Sequence, residues 1–150
     1  MKEMMKKVRE RREGFTMAEL LIVVAIIAVL VAIAIPVFTA QLERSRESAD
    51  LANMRAVYAE VSAQALEETP ATFTSTALGG TSVEWNDAAK TFTVDVPMTQ
   101  KNANWETANA SAKIGPKAVS NDMCTDTLIS GKKYTLVYTV TNGSVTINGK

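Results

Sequence analysis

Glu19 is the residue best placed to do chemistry, because it is the one charged side chain between residues 15 and 40. Within an apolar helix, a carboxylate costs on the order of 2.5–3.5 kcal/mol near mid-bilayer and less at the membrane edge. Its most natural partner is a cation. Cleavage of the chain before Phe15 would create one, an α-amine four residues away along the helix or on a neighbouring chain.

Few other side chains are of types that support catalysis or metal binding. The chain has no histidine, which removes the usual general base and the commonest metal ligand. Its single cysteine, Cys124, can form neither an intrachain disulfide nor a multi-thiolate metal site. Asn121, Asp122 and Asp126 offer oxygens to calcium without the glycine-turn spacing of a known loop. We therefore expect a non-enzymatic protein without a cofactor.

Charge is segregated along the chain although the net charge is +0. Residues 1–14 carry a net charge of +3, and residues 41–150 carry −2. A mildly acidic body disfavours general phosphate-backbone binding, which needs clustered Lys and Arg. The sequence therefore shows no nucleic-acid partner, and it leaves open a local basic patch on the fold.

An apolar stretch lies between the basic head and the acidic body. Residues 20–35 are all Ala, Val, Ile or Leu, which is too long for one buried strand. Extended to residues 15–38, the stretch would form a helix of about 36 Å, enough to span a bilayer with tilt. The positive-inside rule keeps the basic head in the cytoplasm. A cleaved secretory signal or a plain signal anchor also fits this pattern, but neither accounts for Glu19.

Residues 14–36 resemble a known targeting signal. A short basic leader ends at Gly14; Phe15, Thr16 and Glu19 follow, and Pro36 closes the apolar run. In this order and spacing the segment resembles the class III signal of type IV pilins and pseudopilins. The resemblance covers about the first 66 residues. Two residues depart from the usual pattern: Glu13 stands where Lys or Arg is frequent, and Ala28 where Gly is common.

The resemblance implies a role for each matching residue. Prepilin peptidase would cut between Gly14 and Phe15, and the new amine of Phe15 would be N-methylated. Glu19, Thr16 and Pro36 would serve assembly. Glu19 would attract the N-terminus of an adjacent subunit, and Pro36 would lie where such helices kink or locally melt in filaments.

The resemblance also implies partners and a location. The partners are further copies in a helical filament, minor pilins, the membrane, prepilin peptidase, an assembly platform protein and its ATPase. The subunit would cross the bacterial cytoplasmic membrane once, with its N-terminus inside, before entering a cell-surface pilus or a filament that spans the periplasm or wall. Two alternatives stay open: a pseudopilin of a type II secretion or DNA-uptake machine, and a monomeric membrane-anchored binding domain that needs no cut at Gly14.

The apolar stretch continues into an amphipathic helix. Apolar residues recur at spacings of three and four, typical of a helix that lies on a core: Leu51, Met54, Tyr58, Val61 and Ala65, with Val57 and Leu66 beside them. We expect one helix over residues 15–66. Five charged residues between the two halves, which we call the charged collar, are predicted to be solvated or to form ion pairs between subunits: Glu43, Arg44, Arg46, Glu47 and Asp50.

The rest of the chain predicts a small antiparallel sheet. Alternating residues 82–85 and 91–96 flank a five-residue loop, and residues 133–141 and 144–148 flank the turn Asn142-Gly143. We expect an α+β fold in which about four strands pack on the helix. The predicted divisions are a leader of residues 1–14, a membrane or filament helix of 15–40 and a globular head of 41–150.

Residues 97–132 have no clear periodicity. Their Pro, Gly and Asn/Ala-rich composition predicts loops with a short helix near residues 105–113. So long an insertion is often a binding surface. Trp105 is either an adhesive contact or a buried packing residue.

Overall fold

The structure is a computed structural model that describes residues 15–102, 105, 112–118 and 131–149. The chain divides into two compact units, Met1–Thr39 and Ala40–Lys150. Its regular elements are, in chain order, α1 (Met17–Gln64), β1 (Phe73–Ser75), β2 (Thr81–Asn86), β3 (Thr91–Pro97), β4 (Lys113–Ile114), β5 (Lys117–Ala118), β6 (Lys133–Thr139) and β7 (Ser144–Gly149). The fold is α+β, as predicted.

The second half of α1 packs on the core of the second unit. Leu51, Met54, Val57 and Val61 are buried, and Tyr58 and Ala65 are partly buried against the same cluster. The predicted apolar stripe is thus confirmed over these residues.

The helix ends at Gln64, close to the predicted end at about residue 66, but the placement of Leu66 in the stripe is wrong. After Gln64 the backbone tightens into i→i+3 turns: the amide of Leu66 donates to the carbonyl of Ala63 at 3.1 Å, and that of Glu67 to Gln64 at 3.2 Å. This change of pitch turns Leu66 away from the core, and its side chain is 88% exposed.

The main sheet has five antiparallel strands in the order β1-β2-β3-β6-β7. Its buried residues alternate with exposed ones and meet in register, as in Val83 opposite Val94 and Val94 opposite Leu136. The prediction of about four strands is one too few, because β1 is a three-residue edge strand too short to show a period. A separate two-stranded sheet is formed by β4 and β5.

Both predicted hairpins are present, with loops that differ from the prediction. The β2–β3 pairing extends to Asn86 and Thr91, so that loop has four residues rather than five. The β6–β7 pairing stops at Thr139 and Ser144, so residues 140–143 form a four-residue loop instead of a two-residue turn. A type I′ turn needs positive φ at both central residues, and of Asn142 and Gly143 only Gly143 has it, at 65°. Val140 instead donates to the carbonyl of Lys90 at 3.0 Å, which joins the two loops.

Segment 97–132 is more ordered than predicted where the structure describes it. The β4–β5 hairpin lies on α1: the Arg55 Nε donates to the carbonyl of Lys113 at 2.8 Å, and Tyr58 packs closely on Gly115. Lys113, placed in the predicted short helix, is in a strand. The rest of that predicted helix lies outside the described residues, apart from Trp105 and Ala112, which are in no helix.

Candidate functional site

Thr16 and Glu19 form a reciprocal cap at the start of α1. The amide and the hydroxyl of Thr16 each donate to Glu19 Oε2 at 2.8 Å, and the amide of Glu19 donates back to Thr16 Oγ1 at 3.2 Å. This is the capping box in which a Thr precedes a helix and a Glu stands three residues later. The carboxylate therefore satisfies donors of its own chain at the helix terminus, where the helix dipole also favours a negative charge.

The helix that Glu19 heads is apolar on all sides and exposed throughout the first unit. Every large apolar side chain from Leu20 to Phe38 is at least 47% exposed. Among the described residues, α1 is the one helix long and apolar enough to cross a membrane. A shallow groove on it has an almost wholly apolar lining: Leu21, Ile22, Ala25, Ile26, Val29 and Leu30. Such a surface needs lipid or other apolar helices around it.

Pro36 lies inside α1 without ending it. Proline has no amide hydrogen, so the bond that would reach the carbonyl four residues earlier is missing. The hydroxyl of Thr39 donates to the carbonyl of Pro36 at 2.9 Å, a local bond that competes with the helical ladder. The proline and this bond together make residues 36–39 a weak point of the helix.

The structure describes some of the predicted site residues and not others. Phe15 directly precedes the Thr16–Glu19 cap and is 87% exposed. Gly14, the leader, Cys124 and the calcium candidates Asn121, Asp122 and Asp126 lie outside the described residues. Trp105 is buried and stacks on Tyr134 with ring centroids 5.9 Å apart, which confirms the packing interpretation.

The acidic residues of the charged collar are buried, so the prediction of a solvated collar is wrong for them. Glu43, Glu47 and Asp50 are 3%, 1% and 0% exposed. Asp50 accepts hydrogen bonds from the amides of Thr99 and Gln100, and Glu43 accepts from the amides of Lys101 and Asn102. The sequence did not predict this contact because each carboxylate binds a segment about 50 residues away, in a stretch without periodicity.

The two carboxylates have opposite pKa shifts. Burial raises the pKa of Asp50, which the hydrogen bonds from Thr99 and Gln100 only partly offset, and the charge of Glu43 adds to the rise. Burial also acts to raise the pKa of Glu43, but the amides of Asn102 and Lys101 and the side chain of Arg46 outweigh it. The pKa of Glu43 is therefore lowered.

Comparisons with known proteins find a matching family model and a similar curated protein. The family model for the prokaryotic N-terminal methylation motif matches residues 9–35. The chain is 52% identical over 48 residues to the type IV major pilin protein PilA of Myxococcus xanthus (strain DK1622). This alignment covers 32% of the chain and 22% of that pilin, about a fifth of the relative's length. No solved structure matches the chain significantly. The resemblance stated from residues 14–36 is thus confirmed.

Proposed function

We propose that this chain is a structural subunit of a type IV pilus or pilus-like filament. The observation that carries the proposal is a capped carboxylate, Glu19, at the head of a helix whose large apolar side chains from Leu20 to Phe38 are exposed, in a segment that matches the N-terminal methylation motif. In the alternative of a binding domain with a plain anchor, the Thr16 cap alone would account for Glu19, but nothing would account for the match to the N-terminal methylation motif.

In this proposal, prepilin peptidase cuts between Gly14 and Phe15, the Phe15 amine is methylated, and an assembly ATPase and platform protein move the helix from lipid into a bundle of its copies. Lipid tails are as apolar as Leu and Val, so the apolar gain in the bundle over the bilayer is small. The axial position of each helix against its neighbours in the filament then depends on packing and on the pairing of Glu19 with the amine of a neighbouring subunit.

The similarity to a major pilin favours a pilus over a pseudopilin filament. The relative is a type IV major pilin protein by name, and the 48 matched residues are half identical to it. A pilus subunit would be recovered in long sheared surface fibres, and a pseudopilin would remain with the cell envelope.

Intact mass spectrometry of the protein isolated from its own cells tests the proposal. The mature chain should lack residues 1–14 and carry one additional methyl group on Phe15. A chain that still begins at Met1 would contradict peptidase processing, and a cut after Ala34 or Ala40, which removes the apolar run, would indicate an ordinary secretory signal instead.

A further inference from the structure

Four successive backbone amides on one segment of the head point at two carboxylates of α1. Residues 99–102, which we call the strap, leave the sheet after β3 and run antiparallel to the helix. The amides of Thr99 and Gln100 lie 2.8 and 3.0 Å from Asp50 oxygens, and those of Lys101 and Asn102 lie 2.5 and 2.6 Å from Glu43 Oε1. Consecutive amides of this kind form a nest for negative charge.

Negative charge is crowded where the strap meets the helix. Glu43, Glu47 and Asp50 follow the i, i+4, i+7 spacing of one helix face, and all three are buried. Cations near them include Arg46, whose Nη1 lies 3.0 Å from Glu43 Oε2, and Lys101 on the strap itself. Like charges out of water disfavour one another, and the charge of Glu43 therefore favours a neutral Asp50.

The hydrogen bonds around Asp50 can accommodate a proton. Thr99 Oγ1 lies 2.5 Å from Asp50 Oδ1 and 3.2 Å from the carbonyl oxygen of Arg46. A hydroxyl donates and accepts, so a protonated Oδ1 can donate to Thr99 Oγ1 while that hydroxyl donates to Arg46. Asp50 Oδ2 meanwhile keeps the amides of Thr99 and Gln100, both 3.0 Å away. The Thr99 amide loses its second contact, to Oδ1 at 2.8 Å, but both amides keep Oδ2 as an acceptor.

Glu43 differs because the described groups that bind its oxygens are all hydrogen-bond donors. Oε1 accepts from two strap amides, and Oε2 accepts from the Arg46 guanidinium. A proton on either oxygen would face a donor and displace it. Protonation of Glu43 therefore weakens the hydrogen bonds that bind the strap to α1.

We propose that the strap is a proton-controlled clasp: mild acid tightens it by protonating Asp50, and stronger acid releases it by protonating Glu43. The strap begins the segment 97–132 that the sequence marks as a candidate binding surface.

The directions of the pKa shifts agree with this geometry. An open strap returns Asp50 to water and to its ordinary pKa, about 3.8. Since closure raises the pKa of Asp50, the strap gains stability as the pH falls from above the raised pKa towards the ordinary one. Closure lowers the pKa of Glu43. The stability that Glu43 gives the closed strap is therefore complete above the ordinary pKa of a glutamate, and it is lost as the pH falls through the lowered pKa.

Hydrogen exchange on the full chain in detergent micelles tests the clasp. Mass spectrometry would follow the peptide that contains residues 99–102 from neutral to strongly acid pH, with rates corrected for intrinsic exchange. We expect its protection to rise as the pH falls from neutral and then to fall in stronger acid. Protection that stays flat, or that only falls as acid is added, would overturn the proposal.

Four variants separate the clasp from a merely structural contact. Asp50→Asn mimics the neutral acid, so it should raise protection at neutral pH and remove the rise in mild acid. Glu43→Gln should lower protection of the strap amides at all but the most acid pH.

The Thr99 variants test the hydroxyl. Thr99→Val should abolish the rise of strap protection in mild acid, and Thr99→Ser should retain it. A loss of the rise in Thr99→Ser, or lower protection in Asp50→Asn, would contradict the proposed proton path.

Glu60→Gln is the matched control. Glu60 is another α1 carboxylate that accepts backbone amides, those of Thr76 and Ala77 at 3.1 and 3.0 Å, at a different turn. This variant should lower protection around residues 76–77 and leave the strap profile unchanged. A strap profile altered as much by Glu60→Gln as by Asp50→Asn would mean that the effect is global, and would overturn the clasp.

Discussion

Glu19 has a partner in its own chain before any neighbour arrives. Its Oε2 holds the amide and the hydroxyl of Thr16, and the same contacts define the first turn of α1. Since those bonds are local, the carboxylate remains satisfied in a lone subunit in lipid. Assembly would then add the Phe15 amine of a neighbour to a carboxylate whose position the cap already fixes.

At the residue scale, we predict that Glu19→Ala gives a stable, membrane-bound protein that fails to enter filaments of the wild-type chain. Removing one partner of a desolvated ion pair costs about 3–5 kcal/mol, more than a hundredfold in incorporation. Co-expression with the wild-type chain, followed by shearing and sedimentation of surface fibres, measures it.

Two further variants separate the charge of Glu19 from its capping role. Glu19→Gln keeps a capping residue of the type the motif allows but removes the charge, so it should fail as Glu19→Ala does. Thr16→Ala keeps the charge and removes one cap, which costs about 1 kcal/mol, so incorporation should fall only several-fold. Normal incorporation of Glu19→Gln would show that the cap, not the amine, is what Glu19 provides.

At the scale of elements, the β4–β5 hairpin depends on a close contact with α1. Gly115 has φ 58°, and a Cβ there would lie 2.4 Å from Tyr58 Cζ. Tyr58 cannot move without disturbing its edge-on contact with Tyr138, whose ring centroid is 5.9 Å away. One glycine therefore allows the hairpin to approach the helix.

We predict that Gly115→Ala destabilises the head more than Gly131→Ala does. Both glycines have positive φ, so each substitution costs roughly 1–2 kcal/mol of backbone strain. Only at Gly115 does the new methyl group meet another side chain, which adds about 1–3 kcal/mol. Denaturant unfolding of both variants in detergent measures the difference, and equal losses would show that Tyr58 yields without cost.

The elements that the sequence predicted well are those with a local signal. The stripe from Leu51 to Ala65 has a helical period, and the strands around Val94 and Leu136 alternate. Strand β1 and the four-residue β6–β7 loop were not predicted, because a three-residue strand shows no period and the loop depends on a bond from Val140 to the other hairpin. Local patterns thus identify elements, and their ends depend on tertiary contacts.

The same reasoning explains what was missed at the two candidate sites. The Thr16–Glu19 cap joins residues three apart, so a motif in the sequence could reveal it. The contacts of Asp50 and Glu43 with the strap span 49 to 59 residues. Charged side chains near an apolar helix are usually solvated, and only the fold shows that these accept four backbone amides.

At the scale of the whole molecule, apolar surface is divided unequally between the two units. Among the described residues, the buried core lies between Leu51 and Ile147. Of the same residues, the exposed large apolar side chains lie between Phe15 and Phe38, apart from Leu42 and Leu66. The described core therefore lies wholly within the second unit.

We predict that a chain beginning at Ala40 folds alone, is monomeric in water and unfolds cooperatively. It keeps the core, the five-stranded sheet and both carboxylates that hold the strap, and it loses the apolar helix that would otherwise drive association. Circular dichroism during thermal unfolding and sedimentation velocity measure these properties. The full chain is the control, and it should stay dispersed only in detergent.

A truncated chain that does not fold would mean that residues 15–39 stabilise the head. That result would contradict the prediction that the head folds on its own core. If only the contacts of the strap are lost, the cause is local. The new N-terminus lies three residues before Glu43, and helices fray at their ends. Hydrogen exchange distinguishes the two cases. Fraying lowers protection at the Lys101 and Asn102 amides, which Glu43 holds, and leaves those of Thr99 and Gln100 on Asp50, two helical turns further along. A head that needs the apolar helix loses protection across the sheet as well.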